Sequence, residues 1–94
     1  MLYEIAHAEP RPDHTVAITF SDGMSAVVDF SPVIERGELF ATLADARFFV
    51  REMKVLPGGI GLAWSDELDF SADGLRRDAS PREQEVEEDR TAHA

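Results

Sequence analysis

The sequence predicts a small α+β domain, in which one antiparallel sheet is covered on one side by short helices. Residues 14–30 alternate apolar and polar side chains in two runs that are joined by Asp22-Gly23, a strong hairpin signal. Further short runs that favour strands lie near residues 3–8, 51–56, 60–64 and 68–70. The segments between these runs carry helix-capping residues, so short helices are expected there.

The hairpin over residues 14–30 is the best-supported element. Val16, Ile18 and Phe20 share one face of its first strand, because side chains alternate across a strand with a period of two. Glycine adopts the positive φ that the turn after Asp22 requires. The second strand repeats the alternation from Met24 to Phe30, so we expect one apolar face on this hairpin.

Three short helices are predicted from their capping residues. With their caps, they are Val33–Arg36 after Ser31-Pro32, Ala46–Val50 after Asp45, and Ala72–Ala79 after Ser71. We expect the Val16/Ile18/Phe20 face to be covered by Leu43 and Phe48, together with one of Phe40 or Phe49.

The composition limits the classes of function. The chain has 94 residues, no cysteine and a formal net charge of −10. Disulfides, cysteine zinc sites and thiol nucleophiles are therefore excluded. An acidic surface repels phosphate backbones, so direct binding of nucleic acid is disfavoured and a basic protein partner is favoured. Solubility is the simpler explanation of the same charge.

The chain is expected to be one domain over residues 1–80, followed by a disordered acidic tail over residues 81–94. The tail has one large apolar residue, Val86, and cannot bury enough surface to offset the entropy of ordering. The N-terminal sequence lacks the pattern of a signal peptide, and no run is long enough to span a membrane. We expect a bacterial cytoplasmic protein that is not bound to membranes.

The order and spacing of several motifs resemble a known family. They are Phe20-Ser21-Asp22-Gly23, Val28-Asp29-Phe30, Leu39-Phe40-Ala41-Thr42-Leu43, Asp45-Ala46-Arg47-Phe48-Phe49, Ile60-Gly61-Leu62-Ala63-Trp64 and Leu68-Asp69-Phe70-Ser71-Ala72-Asp73-Gly74-Leu75. Together they resemble the bacterial family called domain of unknown function 2442. The resemblance implies a small α+β fold.

The same resemblance implies a role in binding another protein. Many members are encoded beside a second small protein, in an arrangement similar to toxin–antitoxin pairs, so an antitoxin-like role is implied. Members often carry a tyrosine directly after the leucine of the last helix. Here Arg76 follows Leu75, and the difference implies that this helix is less firmly docked.

No catalytic or metal-binding pattern is found in the sequence. It contains no G-x-S-x-G nucleophile elbow, and Pro57-Gly58-Gly59 lacks the lysine of a phosphate-binding loop. His7 and His14 would be neighbours only if the first two strands pair closely at those positions, which is a weak metal signal. The sequence therefore predicts no enzyme, no metal and no cofactor.

Four residues are candidates for an interaction site or a pocket: Trp64, Asp66, Asp69 and Asp29. Structural roles are the favoured explanation: Asp29 and Asp69 are expected to accept backbone or loop hydrogen bonds, Asp66 to lie in a polar hairpin turn, and Trp64 to fill the core or its rim. Three functions remain open. The first is a non-catalytic protein-interaction module, the second a small-ligand or regulatory sensor with Trp64 in its pocket, and the third an acidic mimic of nucleic acid. The oligomeric state is not predicted.

Overall fold

A computed structural model describes residues 3–81 and confirms a small α+β fold. Its strands are β1 Ile5–Pro10, β2 Thr15–Phe20, β3 Ser25–Asp29, β4 Lys54–Val55, β5 Gly61–Ser65, β6 Leu68–Ser71 and β7 Ser80–Pro81. Its helices are α1 Ser31–Ile34, α2 Ala46–Arg51 and α3 Ala72–Asp78, and 3₁₀ segments cover Glu38–Ala44 and Pro57–Gly59. Across this part of the chain, no helix combines the length and the apolar character that crossing a bilayer would need.

The strands form two antiparallel sheets where the sequence predicted one. The first sheet has the order β1-β2-β3-β7 and the second has the order β4-β5-β6. Residues 31–51, which are mostly helical, separate β3 from β4 along the chain. Buried residues of both sheets, among them Val16, Val28 and Leu62, belong to one apolar core. The two sheets therefore contribute to one core without sharing a hydrogen-bond ladder.

The β2–β3 hairpin is confirmed together with its turn. Val16 lies opposite Val28, and Ile18 lies opposite Ala26, with all four side chains buried. The Phe20 N–H donates to the carbonyl of Met24 at 2.8 Å, and the Gly23 N–H donates back to the carbonyl of Phe20 at 2.9 Å. Gly23 has a φ of +94°, which is the conformation that made glycine the expected residue.

Two of the predicted strand positions are wrong in their boundaries. β1 covers residues 5–10 and not 3–8, because the Tyr3 N–H donates to Asp73 Oδ1 at 2.8 Å and ties the chain start to α3. The strand expected over 51–56 is reduced to Lys54–Val55, because α2 continues to Arg51. The strands expected near 60–64 and 68–70 are present as β5 and β6, each displaced or extended by one residue.

Two of the three predicted helix caps are confirmed. Asp45 accepts hydrogen bonds from the N–H groups of Arg47 and Phe48, and Ser71 Oγ accepts from the Gly74 N–H at 3.1 Å. The prediction for Ser31 is wrong, because α1 begins at Ser31 itself and ends at Ile34. Asp29 Oδ1 accepts the Ser31 N–H at 2.9 Å. Asp29, and not Ser31, therefore supplies the side-chain acceptor at the start of this helix.

Four aromatic side chains pack against one another in and beside the core. Phe49 stacks on Trp64 with ring centroids 5.1 Å apart, and Phe30 meets the edges of Phe49, Trp64 and Phe70 at 5.1–5.6 Å. Leu43 and Phe49 are fully buried, as expected of Leu43, but Phe48 is only partly buried. Adjacent helical residues point about 100° apart, so only one of Phe48 and Phe49 can reach the centre of the core.

The last described strand, β7, was not predicted. Its backbone pairs Ser80 with Val27 and Pro81 with Ala26, which adds β7 as an edge strand beside β3. The predicted disordered tail lies outside the described residues beyond Pro81.

Candidate functional site

The second sheet carries a groove on the face that points away from the core. Lys54 of β4, Ala63 of β5 and Asp69 of β6 lie directly opposite one another in a row across the three strands. Because the middle residue is a small alanine, the row has two charged walls and a low centre. The groove has a volume of about 330 Å³. Its lining consists of Lys54, Leu56, Ala63, Trp64, Ser65, Asp66 and Asp69.

The β5–β6 turn supplies the acidic end of this groove. Asp66, Glu67 and Asp69 are all exposed, and the Glu67 N–H donates to Ser65 Oγ at 3.3 Å, which closes the turn locally. Within residues 3–81, the carboxylates of Asp66 and Asp69 accept no hydrogen bond and form no ion pair. The expectation that Asp69 accepts a backbone hydrogen bond is therefore wrong for this part of the chain.

Trp64 belongs to the core more than to the groove. Its side chain is 4% exposed, and its indole N–H donates to the carbonyl of Phe49 at 2.8 Å. The stacking of Phe49 on the indole ring fixes the ring orientation. Trp64 therefore forms part of the groove's floor and offers no free polar group to a ligand.

Asp29 lies away from the other three candidate residues. It belongs to a separate cleft of about 250 Å³ between α1 and α3. That cleft is lined by Val28, Asp29, Phe30, Pro32, Val33, Arg36, Phe70, Leu75 and Asp78. Asp29 is already engaged through its hydrogen bond to the Ser31 N–H, which confirms its predicted role as an acceptor in the loop. The structure thus brings together Trp64, Asp66 and Asp69, and leaves Asp29 in a turn.

The two histidines of the described chain do not form a site together. His7 lies opposite Thr19 within the sheet, whereas His14 lies in the β1–β2 connection beyond the other end of β2. His14 Nε2 is 2.8 Å from the carbonyl oxygen of Ala44, and its ring meets the edge of Phe49. Among residues 3–81 no group of three or more metal-binding side chains is present.

Arg76 has a structural role that the sequence did not reveal. Its guanidinium lies 4.2 Å from the ring centre of Tyr3 and 4.8 Å from that of Phe20, and it pairs with Asp22 at 3.1 Å. These contacts join α3, the chain start and the β2–β3 turn. Arg76 thus contributes contacts of its own to the docking of α3, and weaker docking than in family members with tyrosine stays a prediction. Only the tertiary structure places two rings beside this arginine, so residue order alone gave no signal for it.

Local hydrogen bonds change the acidity of two aspartates near the hairpins. The Met24 N–H donates to Asp22, and with the neighbouring Arg76 guanidinium it lowers the pKa of the Asp22 carboxyl below its usual value. The Thr15 hydroxyl, 2.6 Å from Asp13 Oδ1, is the main cause that lowers the pKa of Asp13. In both cases donors stabilise the charged form. Both carboxylates thus hold turns of the first sheet.

Comparison with known proteins gives a family and no function. The family model described as "Protein of unknown function (DUF2442)" matches residues 5–81. The chain belongs to the DUF2442 family. The match spans both sheets, the groove and the α1–α3 cleft of this DUF2442 domain. No curated protein and no solved structure matches the chain.

Lys54, Leu56 and Ala63 are groove residues that the sequence reasoning missed. Lys54 and Ala63 reach the groove through strand register, and Leu56 directly follows β4. Alternation within β5 correctly places Ala63 on the face opposite Leu62 and Trp64. The pairing of β4 with β5, which brings Lys54 to the row, could not be read from a strand of two residues.

Proposed function

We propose that this DUF2442 domain is a non-catalytic protein-interaction module whose second sheet binds a basic segment of a partner. One observation carries the proposal: the groove on the outer face holds two exposed carboxylates, Asp66 and Asp69, that no described residue of the chain engages. The net charge of −10 adds long-range attraction for a basic partner.

Binding is proposed over catalysis because of the groups that the groove presents. Among the described residues, Ser65 is the only hydroxyl residue in its lining, and its Oγ already accepts the Glu67 N–H. Within residues 3–81 no histidine lines the groove, and neither Asp66 nor Asp69 is hydrogen-bonded to the Ser65 hydroxyl, so no nucleophile–base pair is formed. Exposed carboxylates and one lysine on a rigid sheet suit recognition of charge at a protein surface.

The partner is proposed to be the small protein encoded by the adjacent gene, in an antitoxin-like pair in the bacterial cytoplasm. The resemblance to families arranged in this way motivates this choice, and the acidic surface is compatible with a basic partner. Contacts to nucleic acid would then come from the partner, since the acidic chain repels phosphate groups.

Co-expression of the full chain with the adjacent gene product tests the proposal. We expect a complex that survives purification and binds at micromolar concentration or tighter. The double variant D66N/D69N should weaken binding at least about tenfold, because two interface charges lose their partners. The control variant E35Q/E38Q changes the net charge equally at exposed sites outside the groove, and should change binding less than about threefold.

Two results would contradict this proposal. Absence of a complex at micromolar concentration would exclude the adjacent gene product as the partner. Equal weakening by both double variants would show that overall charge, and not the groove, controls binding.

A small-ligand sensor is the alternative proposal, and Trp64 fluorescence against a panel of metabolites tests it. Because Trp64 is stacked on Phe49, any ligand that reorganises the core should change its emission.

A further inference from the structure

The outer edge of β6 is an open strand edge. The Ala72 N–H donates to the carbonyl of Ile60 at 2.8 Å, so residues 60 and 72 form a hydrogen-bonded pair. In an antiparallel ladder such pairs alternate, so Leu62 and Phe70 form the next one. The N–H and C=O of Asp69 and the N–H of Ser71 therefore point away from β5. Within residues 3–81 these groups have no hydrogen-bond partner.

The other long edges of the two sheets are less open. β1 begins where Gly59 packs against its backbone so closely that a Cβ on Gly59 would lie 2.5 Å from the carbonyl oxygen of Ile5. β1 ends at Pro10, which has no N–H to donate. β4 lies beside β1 and has only two residues. β6 differs from these edges because it borders both the acidic groove and the α1–α3 cleft.

Successive residues of β6 line the two depressions described above. Asp69 lines the acidic groove on the outer face, and Phe70 lines the cleft between α1 and α3. Phe70 and Val33 are half-buried there, and Leu75 is buried. A strand added along β6 would point alternate side chains toward these two faces. One set would meet carboxylates and the other an apolar cleft.

We infer that β6 accepts an extended segment of the partner as a fourth strand of the second sheet, and that this segment alternates basic and apolar residues. The inference rests on the proposed function and specifies the mode of binding. Main-chain hydrogen bonds to Asp69 and Ser71 hold the segment, and alternate side chains give specificity. A second copy of this chain is a poorer occupant, because both chains carry a net charge of −10.

A synthetic nine-residue peptide of alternating lysine and valine with blocked ends serves as the probe. Amide hydrogen exchange of the full-length ¹⁵N-labelled chain is measured by NMR with and without the peptide. We expect saturating peptide to slow exchange at Asp69 and Ser71 about tenfold or more, because their N–H groups gain acceptors. A peptide N-methylated on every second residue, and one with glutamate in place of lysine, should give no protection.

The variant D69K separates charge from backbone pairing. Asp69 is exposed, so this substitution should leave the fold intact. It should weaken binding of the lysine–valine peptide and allow binding of the glutamate–valine peptide. Unchanged preference in D69K would overturn the charge part of the inference.

Other outcomes distinguish this inference from the proposed function. A partner complex that is sensitive to D66N/D69N, with no added protection at Asp69 and Ser71, would overturn strand addition while leaving the interaction module in place. Protection at Val55 in place of Asp69 would also overturn it. Protection of Asp69 that rises with protein concentration alone would identify a second copy at this edge and contradict the choice of occupant.

Discussion

The aspartates at and near the hairpin turns of the two sheets differ in whether their carboxylates have partners. At the β2–β3 turn, Asp22 accepts the Met24 N–H at 3.2 Å and pairs with Arg76, which lies between the rings of Tyr3 and Phe20. Asp66 in the β5–β6 turn and Asp69 in β6 both face solvent, and neither has a partner among residues 3–81. The Asp22 carboxylate is paired within the fold, whereas the carboxylates of Asp66 and Asp69 are exposed to solvent.

This difference separates carboxylates that stabilise the fold from those that are free to bind. A carboxylate that accepts a backbone N–H helps to fix a turn, so replacing it costs stability. An exposed carboxylate without a partner contributes little to folding, and within a strand it is unfavourable. The proposed recognition role would therefore explain Asp69 in its strand, whereas Asp66 also suits a turn.

The largest expected loss of stability comes from a substitution between β5 and β6. It tests whether the open edge of β6 reflects loose packing of the second sheet. A Cβ on Gly61 would lie 2.4 Å from the carbonyl oxygen of Phe70, so G61A forces β5 and β6 apart. We expect a loss of about 3 kcal/mol in the free energy of unfolding, measured with urea. The control G58A has only a positive φ to overcome, because Gly58 lies near the left-handed region with φ +76° and ψ +3°, and it should lose about 1 kcal/mol. Equal losses would mean that the β5–β6 pairing is not tight.

The next effect concerns the closed turn. R76A removes a cation from two aromatic rings and from Asp22, and its side chain is 18% exposed, so these contacts are partly shielded from water. We expect a loss of about 2 kcal/mol in the free energy of unfolding. R77A removes a neighbouring exposed arginine of the same helix and is the control, with a change of no more than about 0.5 kcal/mol. If R76A behaved like R77A, the comparison between the two turns would lose its basis.

The sequence predicted the parts of the fold that local chemistry determines. The Asp22-Gly23 turn, the Asp45 and Ser71 caps and the alternation of β2 and β3 all depend on residues within a few positions of each other. The separation into two sheets depends on how residues 31–51 pass over the core, and alternation within a strand carries no information about that path.

The candidate site was predictable to a smaller extent. The exposure of Asp66 and Asp69 could be predicted from the sequence, because carboxylates in or beside a polar turn between two short strands stay in water. Asp29 resembles them in the sequence, but the N–H of Ser31 engages it. Lys54 and the free edge of β6 follow from strand order, and Arg76 follows from the approach of Tyr3 and Phe20. Such long-range placement is decided by packing.

A smaller effect should appear as a dependence of the free energy of unfolding on pH. The pKa of Asp22 is lower in the folded chain than its usual value of 3.8, first because of the Met24 N–H and then because of Arg76. The stability that this carboxylate contributes is therefore complete above about pH 4 and is lost as the pH falls through the lower folded pKa. D22N should be less stable than the wild type at pH 7, and the difference should shrink below pH 4 in urea unfolding. A constant difference would contradict the assignment.

The smallest expected change in stability has the opposite sign and sharpens the comparison most. Asp69 is exposed in the middle of β6 opposite Ala63, where threonine is a better strand former than aspartate. D69T should therefore raise the free energy of unfolding by about 0.5 kcal/mol, whereas replacing Asp22 lowers it. The same variant should weaken partner binding, because one wall of the groove loses its charge. A variant that is more stable and binds less well would show that the chain retains Asp69 for recognition at a cost to folding. A loss of stability in D69T would place Asp69 with Asp22 among the aspartates that hold the fold.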